Sequence, residues 1–160
     1  MFAATNLPQV RRIVTSHDES GLGTIQTDST LRFEVCMGGA RAASVWVTLK
    51  SSEDGGNRVV EGIVQPNGTN LRCTDLAPGA RTPMPVRITL IWSYLVEGEL
   101  VLIMDDGSET HLKNPGDTVI QRGTMHAWRN PSTRWARWMC AVVAAEPAIV
   151  GGKVLEAETK

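Results

Sequence analysis

Apolar and polar residues alternate along this chain in short runs, each ended within a few positions by glycine, proline, asparagine or aspartate. Alternation with a period of two marks a strand with one buried face, and no segment sustains the three-to-four-residue spacing of a helix. The pattern predicts strands over 12–16, 24–27, 43–48, 70–76, 87–96, 99–105, 110–112, 118–121, 126–130 and 137–144. Asp105-Asp106-Gly107 reads as a hairpin turn, Lys113-Asn114-Pro115-Gly116-Asp117 as a second turn and Asn67-Gly68 as a third. Residues 18–21 and 51–57 are polar loops, and the stretch from Pro147 to Lys160 is so weakly patterned that a short helix or a disordered tail is expected. Many short antiparallel strands limit their exposed edges by closing into a barrel or jelly roll, so the fold class is all-β.

Composition narrows the partners. With 160 residues and a formal charge of −1, the chain is expected to form one domain, with no electrostatic footprint for nucleic acid or an anionic membrane. It contains no apolar run long enough to span a bilayer or to serve as a signal peptide, which points to a cytoplasmic protein. Cys36, Cys73 and Cys140 form an odd set without Cys-x-x-Cys spacing, so they are expected to be small buried hydrophobes rather than disulfide partners or zinc ligands.

The segment from Gly116 to Asn130 carries the most specific pattern. Gly116, Gly123, His126 and Asn130 resemble the second conserved motif of the cupin barrels, G-x5-P-x-G-x2-H-x3-N, with Arg122 or its neighbour where a proline often stands. The resemblance extends over most of the chain, notably Val96-Glu97-Gly98-Glu99, Asp105-Asp106-Gly107 and Gln121-Arg122-Gly123-Thr124, and is to the small single-domain cupins encoded near biosynthetic genes. It implies a cupin barrel with a conserved core over 70–145, N-terminal strands within 1–40 that serve as a dimer arm, and a tail over 147–160. It also implies that the motif histidine faces a pocket, where cupins usually bind a metal.

The companion cupin motif keeps its frame and loses its ligands. Counting from Gly79 to the closing Gly98, the two histidine positions hold Pro85 and Arg87, and the glutamate position holds Ile91 or Trp92. None of these side chains offers a lone pair to a cation, so no metal and no other cofactor is expected.

Strand alternation places Arg87, Thr89, Ile91 and Ser93 on one face, and Thr124, His126 and Trp128 on another. A pocket built from them holds a cation, an imidazole, hydroxyls and an aromatic wall. His126 is either a proton-transfer group or a hydrogen-bonded remnant of a metal site. Arg87 either binds a carboxylate or a developing enolate, or sits in a structural ion pair or in solvent. Gln121 is a candidate pocket donor whose direction depends on the Arg122-Gly123 turn, while Trp128, Ile91, Ser93, Thr89 and Trp92 are the candidate substrate contacts. Trp92, Trp135 and Trp138 also suit core or interface packing, and His111 and the His17-Asp18-Glu19 cluster suit exposed loops.

The function expected from these parts is metal-independent proton-transfer chemistry of the lyase type, such as dehydration or decarboxylation, on a small polyketide-like molecule. Cyclisation or isomerisation of a biosynthetic intermediate, and binding of a small ligand without catalysis, are the alternatives. The partners expected are a small-molecule substrate and a second copy of the chain.

Overall fold

The computed structural model describes residues 4–50, 53–54, 62–83 and 89–154. Among these residues, fourteen strands and a single 3-10 turn at Met37–Gly39 make up the regular structure. The strands are β1 (Arg11–His17), β2 (Gly23–Thr30), β3 (Glu34–Val35), β4 (Ala40–Lys50), β5 (Glu53–Asp54), β6 (Thr69–Leu76), β7 (Thr89–Glu97), β8 (Leu100–Met104), β9 (Glu109–Leu112), β10 (Thr118–Arg122), β11 (His126–Arg129), β12 (Ala136–Ala144), β13 (Ile149–Val150) and β14 (Lys153–Val154). All ten runs expected from the alternating pattern contain a strand, although the first residues of the 87–96 run lie outside the described residues.

Two sheets enclose the core. The larger has the order β10-β7-β12-β6-β4-β3, with β5 paired to β4, and the smaller has the order β11-β8-β9. Leu76, Leu95, Trp138 and Val142 from the larger sheet pack with Leu100, Leu102, Leu112 and Trp128 from the smaller in one buried cluster. Strict alternation on β8 explains how its sheet uses both faces: Leu100 and Leu102 join that cluster, while Val101 and Ile103 form another with Ala127. This is the barrel-like β architecture that the short alternating runs foreshadow.

The larger sheet's other face is covered by the chain's beginning and held by charge. Asp75, with no exposed surface, accepts hydrogen bonds from Arg137 at 2.6 and 2.9 Å and from Arg41 at 2.8 and 2.7 Å. Arg137 also donates to the Pro8 carbonyl at 2.7 Å, and both guanidinium groups lie over the Phe33 ring, 4.7 Å (Arg41) and 5.2 Å (Arg137) from its centroid. A buried carboxylate satisfied on both oxygens by two cations thereby ties β4, β6 and β12 to the N-terminal segment.

The turns behave as their residues require. Gly98, which closes the first cupin motif, has φ +82°, and a Cβ there would lie 2.9 Å from both Ala136 Cα and the Trp135 carbonyl oxygen. Asn67 takes φ 59° in the turn expected of Asn-Gly. The expectation of a helical or disordered tail needs correction over 147–154, where β13 and β14 form a hairpin across Gly151-Gly152. Two glycines with positive φ supply the turn, and β-branched Ile149, Val150 and Val154 suit the strands. The expected polar loop at 51–57 lies largely outside the described residues, as do 155–160 of the tail. Among the described residues, no helix is long and apolar enough to cross a membrane.

Candidate functional site

The larger sheet presents three rows of side chains to the space between the sheets. Register places Gln121, Ile91 and Val142 in one row, Ser93, Cys140 and Arg72 in the next, and Trp138, Thr74 and Ala42 in the third. All nine line a cavity of about 300 Å³, which His126 and Trp128 of β11 close from the smaller sheet. Thr82 and Pro83 stand beside them. Thr82 is fixed there because its hydroxyl accepts the Trp128 N–H and its own N–H donates to the Trp128 carbonyl, both at 2.9 Å.

His126 is the group with the clearest chemical capacity. The residue is only 4% exposed, and Nδ1 lies 3.0 Å from the carbonyl oxygen of Thr124. A carbonyl only accepts, so Nδ1 carries the proton and Nε2 is left with its lone pair. Burial holds the imidazole below its ordinary pKa, and the hydrogen bond to Thr124 opposes that shift without cancelling it. The neutral ring packs edge-on against Trp128, with 6.2 Å between centroids, and Trp128 in turn lies 5.8 Å from Trp138.

Gln121 and Ser93 supply the buried polar contacts. The Ser93 hydroxyl reaches the Gln121 side-chain carbonyl at 3.4 Å, while Gln121 Nε2, in a residue only 3% exposed, has no hydrogen-bond partner among the described residues. An amide donor left in that state costs about 1–3 kcal/mol, so it is a place where a bound molecule gains by accepting.

The structure brings together most, though not all, of the residues singled out by sequence. His126, Trp128, Ile91, Ser93 and Gln121 line the cavity. Thr89 is buried at the start of β7 without being among the lining residues, and its carbonyl accepts the Gly123 N–H at 2.8 Å. Trp92 is corrected outright: its neighbours Ile91 and Ser93 point inward, so alternation turns Trp92 to the outer face, where it is 47% exposed. Arg87 lies outside the described residues. Trp138, expected in the core or an interface, serves as core and cavity wall at once. Cys36 is exposed rather than buried, while Cys73 and Cys140 are buried with thiols pushed up to about 11 by loss of hydration. His17, His111 and Arg122 are exposed, as loop and strand-end positions suggest.

Of the lining residues that were not anticipated, one is charged. Arg72 of β6 brings a guanidinium to the cavity, and the signal was present in the sequence as the alternation Asn70, Arg72, Thr74. A charged residue at an inward position of a strand reads more readily as a break in the pattern than as part of a site.

The donor chemistry does not suit the metal that cupins usually hold. Among the described residues, no three histidine, cysteine, aspartate or glutamate side chains converge, and His126 shares the cavity with thiols and apolar groups. A neutral thiol and a single imidazole fall short of the three or four donors that a transition metal requires.

No protein-family model matches the chain. Individual proteins do. Phomopsin biosynthesis cluster protein D of Diaporthe leptostromiformis is 33% identical over 165 aligned positions, covering 92% of this chain and 87% of that protein. The cupin-domain-containing oxidoreductase srdB of Neurospora crassa is 34% identical, covering 97% of this chain and 84% of its own length. Among solved structures, the polyketide cyclase RemF from Streptomyces resistomycificus superposes with a TM-score of 0.53 over 81% of this chain and 79% of that one, and at 16% identity the likeness is one of fold. With an all-β barrel, a cupin second motif folded around a cavity, and relatives of this identity and coverage, the chain belongs to the small cupins of secondary metabolism.

Proposed function

We propose that this biosynthetic cupin is a lyase that begins its reaction by proton abstraction at His126, with dehydration of a small, largely apolar intermediate as the reaction that fits best. The observation that carries this reading is the state of the imidazole: neutral, locked through Nδ1 to Thr124, with Nε2 free to accept. Dehydration starts with a base. Nε2 would take a proton from a carbon acidified by a neighbouring carbonyl, the C–H electron pair would become a double bond, and the departing hydroxyl would leave with that proton as water. Decarboxylation instead ends with an acid, for which a ring held below its ordinary pKa is less well prepared. Gln121 Nε2 would donate to an oxygen on which charge builds, in a cavity with a largely apolar lining.

Cyclisation is the second reading, and the largely apolar wall of Ile91, Val142, Trp128 and Trp138 favours it. Such a wall would fold a reactive chain on itself by shape alone. The relatives from biosynthesis clusters support a place in small-molecule biosynthesis, and the name oxidoreductase given to srdB defines the rival chemistry.

The test is to incubate the purified chain, in deuterated and ordinary water, with the metabolites that accumulate in the source organism when its gene is deleted. Mass spectrometry then reads the change. Loss of the mass of one water, abolished by His126→Ala, is the expected result. A product of unchanged mass without solvent deuterium would favour the cyclase, whereas a change of two hydrogens or one oxygen atom would replace both readings with redox chemistry. Binding without turnover would make the protein a ligand-binding module.

A further inference from the structure

We propose that Arg72 is a carboxylate-binding residue, and that the molecule taken up by this cavity is an apolar acid whose anionic end pairs with Arg72 while an oxygen at its other end accepts from Gln121. The proposal rests on reading the cavity as the substrate site, and it does not depend on which bond His126 breaks.

Arg72 differs from the other half-buried or buried arginines that are described. Arg41 and Arg137 share Asp75, Arg129 pairs with Glu109 at 2.7 Å, and Arg12 donates to the Val45 carbonyl and the Ser29 hydroxyl. The Arg72 side chain makes no ion pair or hydrogen bond with any described residue, yet it lies on the inward row of the sheet beside Cys140. It is itself one of the residues that line the cavity, directly across from Cys140 in the register. A guanidinium offers five N–H donors in a planar fork that fits a carboxylate with two parallel bonds.

Gln121 is the second, independent observation. It lies in the adjacent row, three strands away across β7 and β12, or about 14 Å between backbones at the usual strand spacing. Among the described residues its buried Nε2 has nothing to donate to, and the positions between it and Arg72 are Ile91, Val142, Ser93 and Cys140, of which only Ser93, already turned to the Gln121 carbonyl, is polar. The cavity thus has a cation at one end, an unsatisfied neutral donor at the other and an apolar middle. A neutral hydrocarbon would leave both polar groups unpaired. A dianion would bring its second charge against an amide and an apolar wall.

Calorimetric titration of the intact protein with 2-naphthoate and with its neutral isostere 2-naphthamide tests the assignment, with no need to know the natural substrate. The wild-type chain should bind the acid at least about tenfold more tightly than the amide, in line with a charge-assisted pair. Arg72→Met should bring the two affinities together, Arg72→Lys should keep part of the preference, and Arg129→Met, which removes an arginine outside the cavity, should leave it intact. Thermal melting of each variant confirms that the comparison is made on folded protein. Arg72→Met keeping the full preference, or a wild-type chain that favours the amide, would overturn the carboxylate site; no detectable binding of either probe by the wild-type chain would overturn the cavity as a site for apolar acids. If the preference follows Arg72 and the metabolite test shows no loss of water, the dehydratase reading alone fails.

Discussion

His126 and Thr124 are joined by a hydrogen bond of 3.0 Å from Nδ1 to the main-chain carbonyl two residues earlier. The partner is backbone, so the tautomer does not depend on any neighbouring side chain that could itself titrate. The same short span that turns His126 into the cavity therefore also decides which of its nitrogens can act.

The pH dependence follows from that arrangement. Burial lowers the His126 pKa in the folded protein, so the base form is complete at neutral pH and turnover should fall only as pH drops below the ordinary histidine value of about 6.5. The stability linkage has the same sign: the unfolded chain takes up a proton first, so stability should decline as pH falls below about 6.5 and level off below the lower, folded value. Replacing His126 with Ala should remove this step from a plot of unfolding free energy against pH and reduce turnover by about 100-fold or more. An acid limb of kcat/KM centred well above 6.5 would mean that the acting group is another residue.

Asp75 should be among the residues most costly to lose. Asp75→Ala would leave Arg137, 5% exposed, and the less buried Arg41 facing each other without an anion, and breaking a buried pair in this way costs about 3–5 kcal/mol. Urea denaturation should show a loss of about 3 kcal/mol or more, while Arg41→Met, which keeps the Arg137 pair and removes the more exposed cation, should cost clearly less. Equal losses for the two variants would show that the cluster acts as an indivisible unit.

How much of this was legible beforehand depended on whether a feature is local. Alternation on β8 and β12, the Asp-Gly turn and the His126 motif are written in consecutive residues, and the strands and the cavity histidine could be read from them. Ile91 and Ser93 followed from the same period, which should also have turned Trp92 outward. Arg72 was not read because its meaning comes from register: only the pairing of β6 with β12, and of β12 with β7, sets it in line with Cys140 and Ser93. The Asp75 cluster was hidden for the same reason, since its three charges are 34 and 62 residues apart in sequence. The tail hairpin was missed because two-residue strands are too short to show a period.

Asn130, the last anchor of the motif, should prove structural rather than catalytic. It has no exposed surface, donates to the carbonyls of Leu76 at 3.0 Å and Arg134 at 2.7 Å, and accepts from the Ser132 N–H and hydroxyl at 3.0 and 2.9 Å. Asn130→Ala would strand several of these groups at once, for a cost of about 3 kcal/mol. Asn130→Asp keeps the acceptor but loses both donated bonds, so it should also destabilise. If instead either variant retained its unfolding free energy and lost turnover, Asn130 would have to be given a role in the reaction.

The arm formed by β1 and β2 carries the proposal that two copies of the chain associate. Among the described residues its strands pair only with each other, Arg12 fastens it to the Val45 carbonyl at 3.2 Å, and Ile13 and Ile25 are 50% and 57% exposed. A two-stranded ribbon with apolar side chains in water is marginal by itself, and its free edges invite a partner. The outer face of β7 and β10 offers an apolar surface of the same kind, with Trp92, Tyr94 and Ile120 all exposed. Two copies related by a twofold axis would each lay an arm on the other, covering both surfaces without leaving one unmatched. Light scattering should therefore report a dimer, and the double substitution Ile13→Lys with Ile25→Lys should yield a monomer, because burying two ammonium groups at such a contact costs more than it returns. Since these side chains face outward, that monomer should keep its fold by circular dichroism. A wild-type chain that stays monomeric at high micromolar concentration would remove the arm's role in association, and a dimer that survives both lysines would move the interface elsewhere on the barrel.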